Sequence, residues 1–127
     1  MTEGGVALDS TRAPMIVSGG SGFFLVQHRV SADTWQPHPA IAVPPQARHP
    51  RIGAGADGRP VIAWYDAQTK SVGMGRWLGQ RWDTRVPYFS PSNAADEAPQ
   101  LVVDRWGTAW IGWRDTSGLF NLWMPNF

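Results

Sequence analysis

Apolar and polar positions alternate along this chain in short runs: Met15 to Val17, Phe23 to His28, Arg51 to Ala54, Val61 to Tyr65, Ser71 to Trp77, Arg81 to Tyr88, Gln100 to Val103, Ala109 to Arg114 and Leu119 to Met124. Period-two runs of this length, cut by glycine and proline, predict β-strands, and no window sustains apolar residues at helical spacing. The expected fold class is all-β.

Three stretches share one spacing. Pro14, Pro50 and Pro99 are each followed at the second place by Ile16, Ile52 or Leu101, at the eighth by Gly22, Gly58 or Gly107, at the twelfth by Val26, Ile62 or Ile111, and at the fourteenth by His28, Trp64 or Trp113. Asp66 and Asp115 add an acid two residues later in two copies. A recurrent spacing of this kind predicts one small β unit used three times, with units over about 14–48, 49–97 and 98–127. Each unit reads as a hairpin: a strand opened by proline, a turn, and a second strand. The turns are Ser18 to Gly22, Ala56 to Gly58 and Asp104 to Gly107. Asp57 and Asp104 read as turn formers, because aspartate bonds the backbone of its own turn.

The middle unit extends to four strands, a complete antiparallel blade. The first looks truncated, with Thr34-Trp35 and Ala40 to Val43 left over, and the third ends after its third strand. Val6-Ala7-Leu8, in the segment 1–13, is an uncommitted apolar stretch that could close the third unit; another subunit is the alternative source of that strand.

Composition supports this reading. Fourteen glycines and eleven prolines in 127 residues interrupt any helix, and eight tryptophans supply buried area to a short chain. Without cysteine there is neither a disulfide framework nor a thiolate metal site. The formal charge of +1, with ten scattered arginines and one lysine, argues against a nucleic-acid partner. Arg76-Trp77, Arg81-Trp82 and Arg105-Trp106 are candidate cation–π neighbours. The first fifteen residues contain Glu3 and Asp9 and lack the apolar core of a signal peptide, and the longest apolar run is too short to span a bilayer. His28, His38 and His49 are irregularly spaced and do not advertise a metal site, and no cofactor motif is present.

The run from His49-Pro50-Arg51-Ile52 through Gly58-Arg59-Pro60-Val61-Ile62-Ala63-Trp64-Tyr65-Asp66 to Arg81-Trp82 resembles a blade of the bacterial β-propeller repeats found in sialidase-like and lectin-like proteins. Pro99 to Met124 is similar to the same blade, and Pro14 to Arg29 faintly so. The resemblance implies three propeller-like antiparallel blades. Because propellers close with about four to eight blades, it also implies an incomplete ring completed by homo-oligomerisation. Some small lectins resemble this, building one propeller from several short chains.

Three functions are compatible with such a chain. The first is non-enzymatic carbohydrate binding, since a sugar's apolar face stacks on tryptophan and its hydroxyls suit acids and guanidinium groups. Its candidate residues are Trp64, Asp66, Arg76, Trp77, Trp82, Trp106, Trp113, Arg114, Asp115 and Trp123. Of these, Trp77, Trp82, Trp106 and Trp123 lie nearer turns or outer strands and are the better candidates for exposed rings. Trp64 and Trp113 also suit plain packing between units, and Asp66 and Asp115 suit turn capping. The second is a structural subunit of a virion, phage tail or other large particle. The third, a sialidase-like glycosidase, ranks last: Ser31-Ala32-Asp33-Thr34-Trp35 lacks the glycine of an aspartate box, and Glu3 and Glu97 are the only glutamates for a catalytic carboxylate pair.

Overall fold

The computed structural model describes residues 3–9, 11–55, 57–86 and 98–125. Among these the chain is all-β, with no helix, and forms three antiparallel sheets in chain order. The first sheet holds β1 (Glu3–Leu8), β2 (Pro14–Gly20), β3 (Phe23–Ser31) and β4 (Thr34–Pro37), with β5 (Ile41–Ala42) paired to the start of β3. The second holds β6 (Ala47–Ala54), β7 (Pro60–Asp66), β8 (Ser71–Trp77) and β9 (Trp82–Arg85), and the third β10 (Gln100–Val103), β11 (Ala109–Arg114) and β12 (Phe120–Trp123). The last residues of the expected fourth strand, Pro87 and Tyr88, lie outside the described residues.

The leading strands β1, β6 and β10 lie side by side and run in one direction. The His49 N–H donates to the Glu3 carboxylate at 2.5 Å, and a Cβ on Gly5 would lie 3.1 Å from the Pro50 carbonyl. Further on, Arg51 Nε donates to the Pro99 carbonyl at 3.2 Å, and a Cβ on Gly53 would lie 3.2 Å from Val103. Successive sheets therefore pack face to face in a propeller-like blade arrangement, with no closed barrel. One core fills the first joint, with Met15, Val17, Phe24 and Val26 meeting Ile52, Ile62 and Trp64. A second fills the next, with Val61, Ala63, Val72 and Met74 meeting Ala109 and Ile111. All seven positions of β7 are buried, as expected of a strand covered on both faces.

The first sheet corrects the sequence reading in three ways. The N-terminal segment does not close the third sheet; β1 pairs with β2 and is the leading strand of the first. Pro14 therefore matches Pro60, not Pro50. The register pairs Leu8 with Pro14, Ala54 with Pro60 and Val103 with Ala109. The same loop precedes all three, with an N–H to C=O bond of 2.9 Å from Asp9 to Ala13, Gly55 to Arg59 and Asp104 to Thr108. Lastly, the predicted five-residue turn at Ser18 to Gly22 is a two-residue one. Ser21 and Gly22 both have positive φ, 60° and 101°, which suits a tight hairpin turn, and β2 continues to Gly20. Val26 consequently pairs with Val17, whereas Ile62 and Ile111 pair with Ile52 and Leu101.

Pro50 is also placed differently from expectation. It sits inside β6, where the register shifts between Arg48 and Arg51 and His49 takes φ 56°. A bulge tolerates the missing N–H that a regular ladder would need.

Candidate functional site

The ring-and-acid pairs of β7 and β11 are engaged in packing and in turn closure. Trp64 is 2% exposed, its ring tilted against Phe24 at 6.3 Å between centroids and laid over Gly73. Alternation sends Trp64 to the first core and Tyr65 to the second, as the period of a strand requires. The Asp66 carboxylate accepts from the Gln68 N–H and the Thr69 hydroxyl, both at 3.0 Å. Asp115 accepts from Ser117 Oγ at 2.5 Å, Asn121 Nδ2 at 2.9 Å and the Ser117 and Leu119 N–H groups at 3.0 Å. These bonds, the Ser117 hydroxyl foremost, hold its carboxyl down at about 2 against the opposing effect of burial. Both acids close the turns that follow them. Trp113 and Trp123 pack against the second core, and Arg114 points from β11 to the opposite, outer face of the third sheet.

Trp77 and Trp82 meet at the far edge of the first joint. Their centroids are 5.4 Å apart, and His38 makes an edge contact with each, at 5.2 and 6.2 Å. Trp82 Nε1 donates to the Pro39 carbonyl at 2.7 Å. Behind His38 stacks His28, which is 2.6 Å from the Asp9 carboxylate. His28 does not take the ring position of Trp64: it pairs with Met15 as Arg76 pairs with Val61, and so corresponds to Arg76. Burial pushes the His38 pKa down, and the neighbouring His28 adds to the shift. Asp9 is held low by the Thr11 hydroxyl, with the Ala13 and Thr11 N–H groups and His28 helping against burial. This seam is filled by its own side chains.

The equivalent seam between the second and third sheets is open. A cleft of about 350 Å³ is lined by Asp57, Arg59, Val61, Arg76, Trp77 and Trp106. It adjoins a second of about 280 Å³, which shares Val61, Arg76 and Gly107 and reaches Met124. Trp106 is 77% exposed, with the Arg105 guanidinium 5.7 Å from its ring centroid. Its loop is fixed from beneath: Asp104 accepts from the Trp106 and Thr108 N–H groups at 2.9 and 3.0 Å and from Trp110 Nε1 at 3.1 Å. The Trp110 bond is the main reason that the Asp104 carboxyl titrates below its ordinary range. Across the cleft, Arg59 donates to the Leu78 carbonyl at 2.8 Å and sits 3.4 Å from Asp57.

Of the ten predicted residues, this cleft brings together Arg76, Trp77 and Trp106. It adds Arg59, which no motif marks, and Asp57, expected only as a turn former. The signal available for both was their place in a loop facing the next sheet's loop. A larger cleft of about 510 Å³ lies at the other end of the first joint, lined by Glu3, Gly20, Gln46, Arg48 and His49, with no tryptophan, tyrosine or phenylalanine in its lining. Among the described residues no three histidine or acidic side chains group to hold a metal ion.

No family model and no curated protein matches the chain. Among solved structures it is similar to a fucose lectin from Kordia zhangzhouensis in complex with methyl-fucoside, with a TM-score of 0.54 and 11% identity over 98% of this chain and 99% of that one. At that identity the likeness is one of fold.

Proposed function

We propose that this protein is a non-enzymatic carbohydrate-binding module whose site is the cleft between the second and third sheets. The observation that carries the reading is Trp106: a large ring held 77% exposed on a loop hydrogen-bonded to Asp104, at the lip of a cleft that also presents Arg59, Arg76 and Asp57. Exposing an indole is unfavourable unless something covers it, and a sugar's C–H face does so while guanidinium and carboxylate groups bond its hydroxyls. The likeness in fold to a lectin makes methyl-fucoside the first sugar to test. A glycan array followed by calorimetry is expected to find a ligand, and Trp106→Ala is expected to abolish binding with folding intact. Equal sugar binding by Trp106→Ala would refute the site; silence across the array would refute the function.

A second reading, a subunit of a larger assembly, is favoured by a separate observation. The outer faces of the first and third sheets expose Val6, Leu8, Phe23, Phe120 and Leu122. Contiguous apolar faces of this kind mark contact surfaces.

A further inference from the structure

We infer that the outer face of the third sheet docks on the outer face of the first sheet of a second copy, so that two chains close one ring. This assigns an occupant to the exposed apolar faces on which the second reading rests, and it is independent of sugar binding.

The argument is positional. The registers make Phe24, Val72 and Phe120 equivalent, as the β3, β8 and β12 partners of Gly19, Tyr65 and Arg114. Val26, Met74 and Leu122 are equivalent in the same way, opposite Val17, Ala63 and Gly112. In the first two sheets these side chains are fully buried by the sheet that follows, whereas Phe120 and Leu122 are 61% and 64% exposed. The third sheet thus carries the residues of a joint that no described sheet receives.

The receiving face is present at the other end of the chain. At the two existing joints it is built from Ile52, Ala54 and Ile62 in one sheet and Leu101, Val103 and Ile111 in the next. The equivalent positions of the first sheet are Val6, Leu8 and Ile16, again aliphatic. Val6 and Leu8 are 70% and 58% exposed. A partner of unrelated shape would not need both halves of the internal joint at opposite ends of one chain; a second copy does. Two copies supply six sheets, within the range of about four to eight that closes a propeller, and three would exceed it. The joint is heterologous, unlike face to unlike face, and two such joints related by the ring axis close the assembly.

Light scattering tests this on the intact chain and on Val6→Asp and Leu122→Asp, both at exposed positions where circular dichroism is expected to show an unchanged fold. The wild type is expected at twice the chain mass of 14.0 kDa and each variant alone at one chain mass. An equimolar mixture of the variants is expected to recover pairs, because one partner keeps its first sheet and the other its third. A monomeric wild type, or open arrays without a discrete mass, overturns the inference. So does an interface broken by Leu122→Asp but untouched by Val6→Asp, which would mean that like faces meet.

Discussion

Gly73 lies flat beneath the indole of Trp64, so close that a Cβ there would fall 2.4 Å from the ring. The missing side chain is what lets the largest residue of the first core sit between β7 and β8. Since Trp64 is buried and held against Phe24, it has no direction in which to retreat. Gly73→Ala is therefore expected to destabilise the fold by about 3 kcal/mol, the upper end for overpacking. Urea denaturation checks this, and an unchanged midpoint would contradict the packing described.

Arg12 has φ 67° in the loop before β2, where the matching positions before β7 and β11 are Gly58 and Gly107, at 78° and 83°. A left-handed backbone costs a residue with a Cβ about 1–2 kcal/mol, of which glycine's greater chain entropy takes back roughly half. Arg12→Gly is thus expected to raise stability by about 0.5–1 kcal/mol. Destabilisation would show that this loop is not the counterpart of the other two.

The Asp115 carboxyl is held at about 2, below the ordinary 3.8. A group depressed in the folded state stabilises it above the ordinary value and loses that contribution as pH falls toward the folded one. Between pH 4 and pH 2 the wild type should therefore lose urea resistance more steeply than Asp115→Asn. Parallel slopes would remove Asp115 from the account.

His38 titrates below its ordinary 6.5, because protonating it means charging a ring packed among Trp77, Trp82 and His28. The unfolded chain takes the proton first, so stability is complete above that value and declines as pH drops below it. Its Nε2 is buried without a hydrogen-bond partner, so an apolar ring forfeits no bond there. His38→Phe is expected to keep the stability seen at pH 8 and to flatten the decline toward pH 5, read by thermal melts at several pH values. A variant that declines as the wild type does would assign the effect elsewhere.

Much of the fold was legible because a strand repeats every second residue and a hairpin has few ways to turn. Pro50 and Pro99, with Gly58 and Gly107, marked two true counterparts. Pro14 misled because β2 and β3 form a hairpin that imitates β6 and β7 in spacing, and spacing carries no information on which strand leads a sheet. The slip moved with it the faces of Val26 and His28, since one residue of register turns a strand over. At the cleft, Trp106 was readable from its turn. The covering of Trp77 and Trp82 was not, because it comes from His38 and the Pro39 carbonyl, contributed from another sheet.

Each described sheet completes its backbone ladders internally and meets its neighbour through side chains. Nothing in such a boundary records whether peptide bonds continue across it. A second copy docked as inferred above would therefore be held by the same kind of side-chain packing that joins the sheets within one chain, with no backbone ladder to break when it leaves. On that view, dilution would part the copies and leave every sheet intact.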